Sequence, residues 1–428
     1  ITAPLDSTPF EGKVSVRPNA VSVLLAFPLH GAGELGPDQA AATGGERSAE
    51  LIDLSAFSGD PPKLVHIGAV APDILAMTVL ARKVVPGSFV RYERQAGDEI
   101  GERNGNRVLV RNGREVGAIA GDDGAWLRTG ETVTGVPLQV AYADDRNNYL
   151  VFSEEHESYA TGLSPLAVHR KSKATNESPG RYFPQEHHLY LRLPRPLQVG
   201  KTYEIRLEKI NLDSRSISYL HDPLQVHSEA VHVSQIGFRP DDPAKVAFLS
   251  LWMGTGGGHT GYREGMAFRL IDERTDRAVF SGTSRLSKPA GDASPGLHAK
   301  GRNFNQTDVY ELDFSSFSAP GRYRVCVEGV GCSYPFPIDD GVWEDAFKIA
   351  ARGFYHQRSG IALQEPYTDW TRPRGFHPDD GKVVYETTFR RNESKGQGDT
   401  FTQLVAHRTE RTLPNAWGGY FDAGDWDR

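Results

Sequence analysis

No run of 18 apolar residues occurs anywhere in this 428-residue chain, so no membrane-spanning helix is expected. A basic excess is missing too. Lys and Arg number 48 against 55 Asp and Glu, a net charge of −7, which argues against a nucleic-acid-binding face. Cysteine is scarce, with only Cys326 and Cys332. They flank Val327-Glu328-Gly329-Val330-Gly331, which reads as a hairpin tip. A cross-hairpin disulfide and two free thiols in a turn both fit, because spacing alone does not give geometry. A leader is lacking as well: the numbering opens at Ile1, with no basic segment and apolar run ahead of it. The expectation is a start that follows a removed leader or an arbitrary cut in a longer chain, and a secreted or periplasmic protein. Finally, Gly254-Thr255-Gly256-Gly257-Gly258-His259-Thr260-Gly261 lacks the Gly-Lys-Ser/Thr ending of a phosphate-binding loop, so a flexible loop is expected there.

What is present points to β structure. The length suggests two to three domains, and 45 Gly with 27 Pro suit many turns. Val21 to Phe27 reads as a strand and 31–45 as a loop. Leu64 to Ile67 and Met77 to Val85 are rich in branched apolar residues. Arg107 to Ile119 is the clearest hairpin, turning on Asn112-Gly113. Leu189, Leu191 and Leu193 alternate with Tyr190 and Arg192, and Tyr203, Ile205 and Leu207 repeat the pattern, which predicts sheets with one wet face. Residues 1–228 therefore read as a β-rich, sandwich-like domain. Glu186-His187-His188 suggests a metal site or a solvated strand end, and the latter is expected. Asp144 to Asn148 is read as a polar turn rather than a calcium loop.

The chemistry concentrates in the last dozen residues. Asp422 and Asp425 stand three apart, and Gly424 permits the tight turn that aims both carboxylates at one spot. Trp417, Tyr420, Phe421 and Trp426 crowd around them. Aromatic faces suit sugar rings, and paired carboxylates suit hydrolysis of the glycosidic bond.

The stretch Gly418-Gly419-Tyr420-Phe421-Asp422-Ala423-Gly424-Asp425 resembles the Gly-Gly-Trp-x-Asp-Ala-Gly-Asp signature of glycoside hydrolase family 9, with Tyr420 in place of Trp. The resemblance implies an inverting, cellulase-type enzyme on an (α/α)6 barrel. Residues 229–339, from Val231-His232-Val233-Ser234-Gln235-Ile236-Gly237-Phe238 through Tyr334-Pro335-Phe336-Pro337-Ile338, resemble the immunoglobulin-like domain that precedes many of its catalytic domains. From Gly341 the pattern turns helical, with Val342, Ala346, Ile349, Ala350 and Phe354 at spacings of three and four and Asp339 or Asp340 as cap. This helix closes on Gln357-Arg358-Ser359-Gly360, another family-like sequence. Some relatives carry Cys-His in a zinc site where this chain has Phe376-His377. Phenylalanine cannot ligate zinc, so none is expected there, and His377 is read as a polar loop residue or a sugar contact. No cofactor is required.

By resemblance Asp425 is the general base and Asp422 orients the attacking water. The family's general-acid glutamate lies far downstream, outside this chain. The fold expected is therefore mainly β followed by α, with 340–428 only the opening of the barrel. The partners expected are a β-1,4-linked polysaccharide or oligosaccharide and the remainder of the catalytic domain. Without that remainder, the chain is expected to be inactive and to expose an apolar helix face. Two other readings compete. One is a non-catalytic carbohydrate-binding β-sandwich protein. The other is a structural calcium loop of Asp422, Asp425 and Asp427, whose rhythm Ala423-Gly424 interrupts.

Overall fold

The computed structural model describes residues 51–103, 106–120, 124–176, 182–294, 301, 303–389 and 400–421. The strand read at Val21 to Phe27 and the loop at 31–45 lie outside these. Among the described residues the chain is strand-rich and antiparallel throughout its named sheets.

Two sheets face each other first. One orders the strands Lys63–Ala71, Ile74–Ala81, Gln185–Arg192 and Ala167–Ala174; the other orders Tyr149–Phe152, Thr202–Leu207 and Ser216–Leu220. Leu75, Met77, Leu189 and Leu191 meet Tyr149, Val151, Tyr203 and Ile205 between them, all essentially without solvent access. The alternation in Thr202–Leu207 behaves as expected, since Glu204 and Arg206 stay outside the core. The strand Gln185–Arg192 does not. Tyr190 is fully buried on the opposite face, where it packs with Ile74 and Ala76 against Ala230, Leu249 and Phe268. This strand is dry on both sides over His187–Leu191, so period-two patterning misread its second face.

The second core belongs to strands between 231 and 338. One sheet orders Val231–His232, Val246–Leu249, Val309–Asp313 and Arg285–Lys288. The other orders Arg277–Thr283, Ala267–Asp272, Gly321–Val327 and Gly331–Cys332, with Phe336–Ile338 also on Gly321–Val327. Cys326 and Cys332 are register partners and form a disulfide. The glycine-rich loop is packed rather than flexible. A Cβ on Gly254 would lie 2.2 Å from the Arg170 carbonyl oxygen, and the Arg170 N–H donates to Thr255 Oγ1 at 3.0 Å.

A five-stranded sheet projects between residues 86 and 131, ordered Phe89–Arg91, Trp126–Thr129, Arg114–Ala120, Asn106–Arg111 and Asp98–Arg103. Its hairpin turns on Asn112 and Gly113 with φ of 50° and 75°, as Asn-Gly turns do. The Asp144 to Asn148 stretch is a polar turn, with Asp144 held by Arg170 at 2.7 Å and 3.0 Å.

After residue 340, the described residues form the helices Glu344–His356 and Thr400–Ala406, with short strand pairs between them. The expected cap fails. Asp339 Oδ1 accepts from the Gly341 N–H at 2.8 Å, one turn too early, and Trp343 stands at the helix start without a side-chain cap. At 100° per residue, Ile349, Ala346, Ala350, Phe354, Phe347 and Ala351 span roughly 200° of the helix surface. No residue of this helix is buried, and Phe347, Ile349 and Phe354 are 72%, 73% and 68% exposed. The apolar face is bare, as expected.

Candidate functional site

Two stretches singled out separately in the sequence meet as strands. Arg358–Ser359, just after the long helix, pairs antiparallel with Gly419–Tyr420, and the Phe421 N–H donates to the Gln357 carbonyl at 2.7 Å. Glycine makes the approach feasible. Gly360 and Gly418 have φ of +78° and +74°, and a Cβ on Gly360 would sit 2.8 Å from the Gly418 Cα.

The Trp370 to Asp380 stretch closes the other side. Gly360 N–H donates to the Gly375 carbonyl at 2.8 Å, and Gly418 N–H to the Phe376 carbonyl at 3.3 Å. Leu363 and Arg372 exchange backbone hydrogen bonds of 2.9 Å and 3.1 Å. Arg372 donates to the Arg358 carbonyl at 2.7 Å and lays its guanidinium 4.5 Å from the centroid of the Phe421 ring. Arg374 forks onto Asp380 at 2.9 Å and 3.1 Å, which holds that carboxyl below the ordinary range and staples the loop.

These contacts assemble an aromatic wall. The His377 ring meets Trp417 edge-on at 4.4 Å, Phe376 lies 5.9 Å from Phe421, and Tyr420 turns edge-on to Phe354 at 6.2 Å. His377 Nδ1 accepts from the Asp379 N–H at 3.2 Å. Phe376, Val384, Leu413, Trp417, Tyr420 and Phe421 line a concavity of about 810 Å³. Tyr420 is 64% and Trp417 48% exposed, so rings are offered to solvent rather than spent on a core.

The structure thus brings His377, Trp417, Tyr420 and Phe421 together. Asp422, Asp425 and Trp426 lie outside the described residues, as does Asp427. Sequence reasoning missed Arg372, Phe376 and the wall of Val383, Val384 and Leu413. Phe376 had been weighed only as a lost cysteine. Arg372 had a usable signal in the aromatics around it, since guanidinium groups settle on ring faces. The valines and leucine carried none. Glu186-His187-His188 is no solvated strand end: His187 and His188 are 2% and 8% exposed.

Known proteins give a consistent picture. Residues 226–332 match the family model of the cellulase N-terminal ig-like domain. The chain is 29% identical over 204 residues to a xyloglucan-specific endo-beta-1,4-glucanase of Bacteroides ovatus, covering 47% of this chain and 28% of that one. It is 30% identical over 126 residues to endoglucanase D of Acetivibrio thermocellus, covering 29% and 17% respectively. Among solved structures, a metagenome-derived glycoside hydrolase family 9 endoglucanase shares 28% identity across 45% of this chain and 29% of its own, with a TM-score of 0.30. The chain spans less than a third of the length of these relatives. Residues 226–332 thus match a cellulase N-terminal ig-like domain, and part of the chain is similar to part of these endoglucanases.

Proposed function

We propose that this chain is the N-terminal portion of an inverting glycoside hydrolase acting on a β-1,4-linked glucan. In this reading residues 1–228 and 229–339 are accessory domains, and 340–428 open an (α/α)6 barrel. The observation that carries it is the pairing of Arg358–Ser359 with Gly419–Tyr420 beside an open aromatic concavity. That pairing anchors Phe421, and the chain runs directly from it into Asp422-Ala423-Gly424-Asp425. The bare apolar face of Glu344–His356 supports the barrel, because a helix apolar over half its girth needs neighbours on both flanks.

In the mechanism, Asp425 takes a proton from water while that water attacks the anomeric carbon from below the ring. Asp422 accepts a second hydrogen bond from the same water and fixes its orientation. A glutamic acid supplied by polypeptide beyond this chain protonates the departing oxygen. The two catalytic carboxyls stand roughly 6.5–9.5 Å apart to admit the water, so configuration inverts. Trp417, Tyr420, Phe421, Trp426 and His377 hold the sugar. No step calls on a metal. Export to a secreted or periplasmic location suits a polymeric substrate.

The test is Asp425→Asn in a polypeptide extended through the complete catalytic domain, assayed on β-1,4-glucan with a binding measurement alongside. The expected result is a loss of roughly 10²–10⁴-fold in kcat, with binding retained. Unchanged turnover sinks the assignment. Binding without hydrolysis in the parent protein favours the carbohydrate-binding alternative.

A further inference from the structure

Away from the concavity, the four-stranded sheet meets the segment leading into Val231–His232 through a cluster of charged side chains. His188 sits at its centre, 8% exposed on the strand Gln185–Arg192. Its Nε2 lies 2.7 Å from Glu186 Oε1, and its Nδ1 lies 2.7 Å from Glu229 Oε2. Ionised carboxylates only accept, so both ring nitrogens must carry hydrogen, and the ring is an imidazolium. Glu186 shares its partner oxygen with Lys173 at 2.7 Å, while Glu229 also takes hydrogen bonds from Tyr190 and from Lys171 at 3.4 Å. Thr78 Oγ1, from the neighbouring strand, stands 3.5 Å from Nδ1. Two lysines and the imidazolium, three positive charges, face two carboxylates.

Glu229 belongs to neither strand. It lies between His227, whose carbonyl contacts His66 Nε2 at 2.9 Å, and Ala230 with Val231, which enter the second core. His227 stacks on Tyr334 at 3.7 Å, and His232 Nε2 contacts the Ser250 carbonyl at 3.2 Å. These three histidines touch backbone carbonyls through a single ring nitrogen and need no charge.

We propose that His188 is a proton-operated latch, in which its imidazolium, gripped by Glu186 and Glu229, holds the 226–232 segment to the four-stranded sheet and lets go when it loses its proton. Removal of one proton turns a donor into a lone pair facing a carboxylate oxygen at 2.7 Å, and that contact becomes repulsive.

The sign follows from the partners. Burial disfavours the His188 charge, but hydrogen bonds to Glu186 and Glu229 outweigh it and hold the ring above the ordinary histidine range. The latch is complete below about pH 6.5 and is lost as pH climbs through the higher folded value. The carboxyls act at the other extreme. Glu229 is held to about 2 against its burial, mainly by His188, and Glu186 to about 2 by the same ring. Their contribution fades only as pH falls below about 4.5. His66, His187, His227 and His232 are pushed down by burial, His187 and His227 to about 4, so they stabilise above about pH 6.5 and weaken the fold in acid. Tyr190 and Tyr334 are pushed up by burial and stay neutral across this range. Above about pH 7.5 the unfolded forms of these histidines are neutral too, so that arm isolates His188 within this cluster.

The test uses the full chain labelled with ¹⁵N-histidine. At pH 7 one buried imidazolium with both N–H signals is expected, and it should titrate above pH 6.5. In parallel, melting temperatures are compared from about pH 7.5 to about pH 9.5 for the parent, His188→Gln and Glu229→Gln. The parent should lose stability across that range, His188→Gln should lose less, and Glu229→Gln should move the His188 titration to lower pH. A neutral His188 at pH 7 overturns the proposal in the parent protein alone, whether or not the variants fold. So does an undiminished alkaline arm in His188→Gln.

Discussion

Replacing Gly360 with alanine tests the joint on which the candidate site is built. Gly360 has φ +78° and faces Gly418, whose Cα would lie 2.8 Å from the new Cβ, with the Trp417 ring at 3.0 Å. Two costs add. A left-handed backbone costs a non-glycine residue about 1–2 kcal/mol, and forcing a methyl into filled space costs about 1–3 kcal/mol more. Gly381 offers the control. Its φ is +74°, yet nothing lies within 4 Å of its ideal Cβ, so Gly381→Ala incurs the first cost without the second. The difference, about 1–3 kcal/mol, is roughly 5–150-fold in an equilibrium constant. Amide hydrogen exchange reads it at Phe421, whose N–H is tied to Gln357 across this joint. Gly360→Ala should accelerate Phe421 exchange by that factor over Gly381→Ala. Equal acceleration in both variants, or none in Gly360→Ala, would refute the argument that the two glycines are there for close approach.

Leu191, without solvent access between the first two sheets, should cost about 2–5 kcal/mol when cut to alanine, read as a lower urea midpoint with unchanged slope. Phe347→Glu, on the bare helix face at 72% exposure, should change stability by no more than about 0.5 kcal/mol while reducing self-association in light scattering. A loss of several kcal/mol there would mean that the ring is buried in solution.

Local rules read well wherever the answer was local. The Asn112-Gly113 turn, the strands on either side of it, and the alternation of Tyr203, Ile205 and Leu207 all appear as the pattern predicts. Cys326 and Cys332 left two readings open, and their facing register in adjacent strands selected the disulfide. What depended on a third layer was illegible. Tyr190 looks like a solvent-side residue because tyrosine tolerates either environment, and only the strands beyond residue 231 make its face dry. His187 and His188 looked polar and therefore wet; their partners Ser172 and Glu229 lie 15 and 41 positions away, too far for any spacing rule. In the site, Gly-Gly-Tyr-Phe and Gln-Arg-Ser-Gly were each visible by resemblance. Their pairing was not, because a two-residue strand has no periodicity to detect.

The shared sheet bears on where this chain can be divided. A cut before Glu229 looks natural from composition, yet it would strip the second core of Val70, Ile74, Ala76 and Tyr190, all at most 5% exposed. It would also remove the Val70 carbonyl that accepts from the Tyr262 hydroxyl at 2.5 Å. At about 1.5–3 kcal/mol for each of the three large side chains and about 0.8 kcal/mol for the Ala76 methyl, the four together amount to about 5–10 kcal/mol. That matches the whole stability of an ordinary domain, about 5–15 kcal/mol. A fragment of residues 229–428 should therefore bind hydrophobic dye, show weak near-ultraviolet dichroism and lack a cooperative thermal transition, whereas the full chain should melt cooperatively. If the fragment unfolded as sharply as the parent and at a similar temperature, the strands Ile74–Ala81 and Gln185–Arg192 would be ornaments to the second core rather than one of its walls.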